Sequence, residues 1–548
     1  MVWINWIKMA KMSKIFFFLM VFTLIPVNLA KEVTSATILV DGTARIANID
    51  DNFVCATIDW WPPEKCDYNR CSWGNSSALN LDLSHPLLAA AVEAFGQLRI
   101  RVGGSLQDQL YYDLRSSENE CKPFKKKKDG LFGFSHGCLS MKRWDELNEF
   151  FQKTGVILTF GLNALYGRYK KTQKTWGGYW NSTNTREFIK YTISKGYKVD
   201  SWEFGNELSG SGVEASVDVQ VYAKDVIELK NILKNLYKNR NQIPSLAAPG
   251  GFFEQWWYSK FLRISSSNVV NLVTHHIYNL GSGIDSHLVS KILNPDFLSK
   301  AENTFKKVQQ TVNQNCSWGS PWVGEAGGAY NSGGNHISNT FLDSFWYLDQ
   351  LGMSSKYNTK VYCRQTLVGG NYGLLNPHTF VPRPDYYSAL LWHRLMGKGV
   401  LLAHHNTSKY LRSYAHCSKE RDGITLLLIN LSNNTDFELS VGNSYDEISV
   451  SQRKKPDRFI RSFKKSVSWV GKEASGDEVW REEYHLTANN GFLQSKTTVL
   501  NGVPLYTTED GKIPSLDPLL VKHGSSIHVS SSSIAFIVLP YFHASGCG

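Results

Sequence analysis

Two glutamates stand where they could act as a catalytic pair. Glu207 follows Asn206 at the end of the run from Trp202, and Glu325 ends the run from Pro321. Facing carboxyl groups about 5–5.5 Å apart can cleave a glycosidic bond, one as general acid and the other as nucleophile. The Asn206 amide could hold the hydroxyl beside the reacting carbon. A lone glutamate after glycine is usually a turn residue, but two in such contexts predict displacement chemistry at a sugar.

Other polar residues at predicted strand ends could support this pair. Arg101 can pair with the Glu325 carboxylate and keep it ionised, and Tyr278 can donate a hydrogen bond to it. His275 and His276 are adjacent in a predicted strand, so only one faces inward, and we assign His275 to the support of the nucleophile. The histidine pair lacks a third ligand at helical spacing, so we expect neither a metal nor a cofactor.

Residues 51–399 predict eight units of a strand followed by a helix. This order is typical of an α/β protein, and eight units favour a (β/α)8 TIM barrel over an open sheet. Catalytic groups of such barrels lie at the C-terminal ends of strands, where the fourth and seventh strands place Glu207 and Glu325. The predicted strands are Val54–Asp59, Leu98–Gly103, Val156–Leu162, Val199–Phe204, Ser245–Pro249, Asn271–Tyr278, Pro321–Gly324 and Lys360–Leu367.

The texture changes after Gly399, where short alternating runs are separated by polar turns. Residues 400–548 therefore predict an appended antiparallel β-sandwich domain. Residues 31–50 have the same texture and are expected to add strand(s) to it. A polar, basic stretch at about 450–482 is predicted to be an insertion between two strands of this domain.

The N-terminus predicts export. Lys8, Lys11 and Lys14 precede an apolar run from Ile15 to Val27, and Ala30 offers a cleavage point, so 1–30 is predicted to be a signal peptide. An uncleaved anchor is the alternative, and no transmembrane segment is expected elsewhere. The protein is then secreted (to the cell wall or medium) or vacuolar–lysosomal. Candidate N-glycosylation sites are Asn75, Asn181, Asn315, Asn406, Asn430 and Asn433.

An exported chain with nine cysteines predicts disulfides. Cys66 with Cys71 and Cys121 with Cys138 could close local loops, and Cys417 with Cys547 could tie down the C-terminus. Cys55 and Cys363 lie in strand-like apolar segments and are expected to be buried free thiols. Because nine is odd, at least one thiol stays free or pairs between chains.

The net charge of +11 is concentrated in two places, Lys125–Lys128 and residues 453–465, rather than spread over the chain. This pattern argues against nucleic-acid binding. The patches are either solvated loops or contacts for an anionic polysaccharide. We expect a monomer.

From about Val54 to Leu539 the sequence resembles the heparanase-like retaining β-glucuronidases of glycoside hydrolase family 79, the plant members most closely. The motifs are specific and follow the family's order. They are Cys55 to Pro63 (CATIDWWPP), Arg101 to Ser105 (RVGGS), Trp202 to Leu208 (WEFGNEL), Thr274 to Tyr278 (THHIY), Trp322 to Gly333 and Gly369 to Gly373 (GGNYG).

The resemblance implies roles for individual residues. Glu207 would be the acid/base and Glu325 the nucleophile. Asp59, Ser105 and Asn206 would contact sugar hydroxyls, while Tyr330, Gly370 and Tyr372 would recognise the carboxylate of glucuronic acid. The expected substrate is therefore a carbohydrate that bears glucuronic acid, either on plant glycans such as arabinogalactan or on small-molecule glucuronides.

Three departures and three alternatives remain. Residues 112–136 are too short for the excised linker of mammalian members, Asn331 and Ser332 replace glycines, and the insertion looks foreign to the family. The alternatives are endo action on heparan-sulfate-like chains, a glucosidase or xylosidase on the same barrel, and a non-catalytic carbohydrate-binding protein.

Overall fold

The computed structural model describes residues 31–115, 121–238, 242–443, 479–508 and 511–548. The predicted signal peptide and most of the predicted insertion lie outside these residues. The end of the insertion at Trp480–Glu482 is corrected, because a strand begins at Trp480. No helix in the described ranges is both long and apolar enough to cross a bilayer.

Eight parallel strands close into a barrel in chain order, which confirms the predicted fold. Each strand pairs with the next, and the eighth pairs with the first, so the ring has no free edge. After an N-terminal strand β1 (Glu32–Asn48), the barrel strands are β2 (Val54–Ile58), β3 (Arg99–Val102), β4 (Ile157–Leu162), β5 (Ser201–Phe204), β6 (Ser245–Phe252), β7 (Leu272–Ile277), β8 (Ser320–Ala326) and β9 (Val361–Arg364).

Helices cover the outside of the barrel between these strands. Their starts follow capping residues visible in the sequence, since Ser140 accepts from the N–H of Arg143 and Asp218 accepts from that of Gln220. The helices are α1 (Pro86–Glu93), α2 (Met141–Lys153), α3 (Thr183–Ser194), α4 (Val219–Leu236), α5 (Gln255–Ser265), α6 (Leu288–Ile292), α7 (Pro295–Leu298), α8 (Glu302–Asn315), α9 (Phe341–Lys356) and α10 (Pro384–Leu395).

The second domain is one large sheet, of which eleven strands lie in the described ranges. Every neighbouring pair is antiparallel except β1 and β13, which run parallel, so the antiparallel prediction is corrected at this pair. No hairpin joins those two strands, so nothing imposes an antiparallel direction. The further strands are β10 (Met396–His404), β11 (Leu411–Ser418), β12 (Ile424–Asn430), β13 (Thr435–Asn443), β14 (Trp480–Ala488), β15 (Thr498–Leu500), β16 (Val503–Pro504), β17 (Leu519–Lys522), β18 (Ile527–Val529) and β19 (Ser533–Leu539).

The N-terminal strand β1 lies between β10 and β13 in this sheet. Strand β12 is buried on both faces. Leu427 and Ile429 belong to the core shared with the barrel, whereas Leu426 and Leu428 pack in a second core with residues of β1, β13 and β18. The barrel and the sheet therefore share one continuous apolar core.

Four disulfides are present among the described cysteines. Cys66–Cys71, Cys121–Cys138 and Cys417–Cys547 confirm the predicted pairs. The expectation of free thiols at Cys55 and Cys363 is wrong, because these two residues are bonded to each other. They lie 308 positions apart and become register partners only when β2 and β9 close the barrel. Cys316 is the buried free thiol.

One predicted glycosylation site is wrong. Asn430 is fully buried in β12, and its Nδ2 donates to the carbonyls of Thr435, Val529 and Ser530. A glycan on that nitrogen has no room. Asn315 is half-buried and its Nδ2 donates to Thr311 at 2.9 Å, whereas the remaining candidates are exposed: Asn75, Asn181, Asn406 and Asn433.

We predict that the disulfide across the barrel seam stabilises the fold substantially. Replacing Cys55 and Cys363 together with alanine should lower the free energy of unfolding by about 2–5 kcal/mol, because the bond closes a very long loop in the unfolded chain. The measurement is the midpoint of urea unfolding. The matched control replaces Cys66 and Cys71, which are only 5 positions apart and should matter less. An equal or larger loss in the control would contradict the prediction.

Candidate active site

Glu207 reaches the barrel mouth through a tight turn after β5. Its own backbone has a φ of +55°, a region that residues other than glycine seldom adopt. The turn is held by the Glu207 N–H, which donates to the carbonyl of Gly250 at 2.7 Å. Such local strain is typical of functional residues whose surroundings fix them. This turn directs the Glu207 carboxyl group away from the end of β5 and towards the neighbouring strands.

Glu325 lies near the end of β8, where the register slips. Val323 pairs with His275, but Glu325 pairs with His276, so two residues of β8 oppose one of β7. A bulge of this kind re-aims a side chain. The Glu325 carboxylate accepts from Arg101 Nη1 at 2.9 Å and from the Tyr278 hydroxyl at 2.7 Å.

The two carboxyl groups face each other across His276. Nδ1 of His276 lies 3.0 Å from Glu207 Oε1 and 4.0 Å from Glu325 Oε2. These ring and carboxylate atoms lie within 4.8 Å of one another. That separation fits direct attack by one carboxylate and is too short for a water between them, as inversion would require.

The environment separates the two pKa values. Burial raises the pKa of Glu207, and the hydrogen bond and charge from His276 only partly oppose this. Burial acts on Glu325 too, but His276, Arg101 and the Tyr278 hydroxyl outweigh it and lower its pKa. Glu207 is therefore suited to hold a proton while Glu325 stays charged.

Arg101 organises the strands around this pair. Its guanidinium is buried and donates to Glu203 at 2.6 Å, to Glu325 at 2.9 Å and to the side-chain oxygen of Asn206 at 2.8 Å. Because Arg101 holds the side-chain oxygen of Asn206, its Nδ2 points away from Arg101. This nitrogen is buried and makes no hydrogen bond within the described residues. The Asn206 side chain therefore keeps one unused donor in the site.

Two buried acids, Glu203 and Asp108, also support the site, although the sequence did not single them out. Glu203 binds Arg101 and accepts from Thr274 at 3.0 Å. Asp108 accepts from the backbone N–H groups of Ala164 at 2.7 Å and Asn206 at 2.8 Å, and burial raises its pKa to about 7. Glu203 could have been suspected, since it stands four positions before Glu207 in the same motif, but Asp108 lies in a short 3₁₀ helix, Gln107–Gln109, that carries no motif.

The assignment of His275 is corrected. Its ring lies 6.1 Å from that of Phe305 on α8, and neither ring nitrogen has a partner in the described chain. Burial lowers the pKa of His275 to about 3. Because neighbouring strand residues point in opposite directions, His276 is the one that faces the carboxylates.

Asp59 lies at the mouth of the barrel, directly after β2. It accepts from the N–H of Trp60 and from Gln365 Nε2, both at 2.8 Å. Burial and the charge of Glu325 raise the pKa of Asp59 to about 7. Gly104 must be glycine here, because a Cβ would lie 2.5 Å from the Asp59 oxygens. Ser105 follows and is half-buried.

The three residues assigned to the sugar carboxylate lie in loops after β8 and β9. Tyr372 is buried with its ring 6.2 Å from that of Trp73, Gly370 has a φ of +64°, and Tyr330 is 44% exposed at the rim. A Cβ at Gly327 would lie 2.9 Å from atoms of both Tyr278 and Tyr372, so Tyr372 closely neighbours the residue that binds Glu325.

The substituted glycine positions keep a glycine-like backbone. Asn331 and Ser332 have φ values of +57° and +68°. The Ser332 hydroxyl accepts from Trp73 Nε1 at 2.9 Å and donates to Asp67 at 2.5 Å. These bonds hold the residue in a conformation that its side chain disfavours.

Comparison with known proteins places the chain among glycoside hydrolases. The chain is 58% identical over 521 residues to heparanase-like protein 1 of Arabidopsis thaliana, covering 95% of this chain and 96% of that protein. It is 40% identical to baicalin-β-D-glucuronidase of Scutellaria baicalensis over 509 residues, 90% of each chain. Among solved structures, a 4-O-α-L-rhamnosyl-β-D-glucuronidase from Fusarium oxysporum has the same fold, with a TM-score of 0.59 and 14% identity over 92% of this chain and 100% of that one.

The family assignment follows from the sequence itself. Residues 35–352 match the model of the glycosyl hydrolase family 79 N-terminal domain. This range contains β2 to β8 with both facing glutamates, Arg101 and His276. The chain is an enzyme that belongs to glycosyl hydrolase family 79.

Proposed function

We propose that the protein is a retaining β-glucuronidase. The observation that carries this proposal is the pair of facing carboxyl groups, with oxygens within 4.8 Å of each other and pKa values displaced in opposite directions. The glucuronosyl specificity is supported by the similarity to the Scutellaria baicalin-β-D-glucuronidase and by the roles that family resemblance gives to Tyr330, Gly370 and Tyr372.

The reaction proceeds in two displacements. Glu325 attacks the anomeric carbon while Glu207 gives its proton to the departing oxygen, so the glycosidic bond breaks as an ester to Glu325 forms. Glu207, now ionised, takes a proton from water, and the resulting hydroxide oxygen displaces Glu325 from the sugar. Two inversions leave the original β configuration in the product.

The sequence and the site leave two properties of the substrate to propose: its size and the charge of the sugars that neighbour the glucuronic acid. We propose glucuronic acid on plant glycans such as arabinogalactan or on small glucuronides, with endo cleavage of heparan-sulfate-like chains as the alternative. Lys127 and Lys170 line a cavity of about 340 Å³ that also reaches Asp108, so an acidic neighbouring sugar could bind there. A KM for acidic polymers that rises with salt, beside a constant KM for aryl glucuronides, would support that contact.

The four disulfides support a secretory route, because such bonds persist in oxidising compartments. We propose an extracellular or vacuolar location, and immunogold labelling of tissue sections would distinguish the two.

A panel of aryl glycosides tests the reaction and the sugar together. With 4-nitrophenol as the common leaving group, the β-glucuronide should be cleaved with a kcat/KM at least about tenfold above the β-glucoside and β-xyloside. NMR should detect the β-anomer of glucuronic acid first. Release of the α-anomer would exclude the retaining mechanism, and a preference for glucoside or xyloside would exclude glucuronic acid. No turnover of any of them would favour a carbohydrate-binding protein.

We predict that Glu207→Gln loses about 10²–10⁴-fold in kcat on a methyl or alkyl glucuronide, since a poor leaving group needs the acid. Azide should partly restore turnover of the aryl substrate and give the β-glucuronosyl azide. Glu325→Ala with azide should give the α-azide, because only one inversion then occurs. Glu149→Gln, which changes an exposed carboxylate on α2, is the control. Identical azide products from both variants would refute the assignment.

Tyr278→Phe should move the acidic limb of the pH–rate profile. The lost hydrogen bond helps to lower the pKa of Glu325, so its removal raises that pKa, and the ionised nucleophile disappears at a higher pH. The limb set by Glu207 should move less. The measurement is kcat/KM from pH 3 to 8, with Tyr541→Phe on the exposed β-domain surface as the control. An unmoved acidic limb would count against this role.

A further inference from the structure

The loop from Gly370 to Leu374 has all of its carbonyl groups bound. Arg383 Nη1 donates to Gly370 at 3.0 Å, to Asn371 at 2.9 Å and to Gly373 at 3.2 Å. The Arg383 backbone N–H donates to Leu374 at 2.8 Å. Arg364 donates to the remaining carbonyl, that of Tyr372, from Nε at 3.2 Å and Nη2 at 3.1 Å. Two arginines thus fix five consecutive carbonyls.

This arrangement determines where the N–H donors of the loop point. In a trans peptide the N–H points opposite to the preceding carbonyl. Holding the carbonyls of Asn371 and Tyr372 on the arginines therefore turns the N–H groups of Tyr372 and Gly373 away from them. Neither N–H has an acceptor within the described chain, whereas that of Asn371 donates to Ser332 at 2.7 Å. The carbonyl groups of the loop therefore point towards the two arginines, and the N–H groups of Tyr372 and Gly373 point to the other side, as the donors of anion-binding loops do.

The two arginines differ in their counter-charges. Arg364 is fully buried against Asp343 at 2.7 Å and Asp385 at 2.8 Å. Arg383 forms no ion pair with any carboxylate of the described residues. Burial and the neighbouring Arg364 lower the pKa of Arg383 to about 10, which still leaves it charged at neutral and acidic pH. Positive charge therefore stands directly behind the loop, without contacting either catalytic glutamate.

We propose that Arg383, backed by Arg364, is a positioning residue that presents the donors of the 370–373 loop to the carboxylate of the substrate. The inference rests on the proposed glucuronidase function and deepens it. It explains how the loop can attract an anionic sugar with its own N–H groups rather than with a cationic side chain placed beside the sugar carboxylate. Such a cation would lower the pKa of Glu207 and weaken the acid.

The test compares Arg383→Gln and Arg383→Lys with the wild type. For Arg383→Gln, the KM for 4-nitrophenyl β-glucuronide and the inhibition constant of free glucuronate should both rise about tenfold, as loss of a charge-assisted contact predicts. The kcat should change by less than about threefold, because the catalytic pair is not touched. The KM and the inhibition constant of Arg383→Lys should lie between those of the wild type and Arg383→Gln, since an ammonium keeps the charge but reaches fewer carbonyls.

The control is Arg394→Gln, which removes an arginine at the other end of α10 that donates to the Ala94 carbonyl at 3.0 Å. It should behave like the wild type, and thermal melting should show all variants folded. Inhibition by glucose should be unchanged in every variant. If Arg383→Gln keeps the wild-type KM and glucuronate inhibition, or loses kcat on glucuronide and glucoside alike, the inference is wrong. If the wild type itself does not prefer glucuronide, the proposed function fails instead.

Discussion

The buried guanidinium of Arg101 is the interaction on which the active site depends. It lies on β3 and binds Glu203 and Asn206 from β5 and its following turn, and Glu325 from β8. Three elements distant in the chain are therefore held to one planar group with fixed donor directions. Its loss would leave two buried carboxylates uncompensated, at a cost of about 3–5 kcal/mol in breaking such a pair. The same contact keeps Glu325 ionised, so stability and reactivity have one source.

The site gives two identical residue types opposite chemical roles through their surroundings. Glu325 has a cation, a tyrosine hydroxyl and a histidine beside it, whereas Glu207 has the histidine alone. Both side chains are buried, so the number of stabilising partners decides which one holds the proton. The backbone contributes as well, because the left-handed turn at Glu207 and the register slip at Glu325 bring the two carboxyl groups face to face.

The arginines around the site contact the nucleophile or lie behind the loop proposed for the anionic sugar, and none of them in the described residues contacts the acid Glu207 directly. Arg101 contacts Glu325, while Arg364 and Arg383 lie behind the backbone of the loop that carries Tyr372. Opposite charges near a carboxylic acid lower its pKa, and the effect falls with distance. An enzyme that binds a carboxylate and uses a protonated glutamate in the same pocket must separate these demands, and peptide groups between the arginines and the pocket provide that separation.

Local sequence patterns determined the barrel, the strands that carry Glu207 and Glu325, the supporting Arg101 and Tyr278, and the disulfides between nearby cysteines. The barrel and its strands follow from apolar periodicity, Arg101 and Tyr278 from their place at strand ends, and those disulfides from short spacing, all of which a sequence displays directly. Tertiary structure decided that Cys55 bonds Cys363, that His276 rather than His275 faces the carboxylates, that Asn430 is buried, and that Glu203 and Asp108 complete the site. These depend on barrel closure, on strand register and on contacts between residues far apart in the chain. Such properties are set by packing of the whole fold, and no local pattern encodes them.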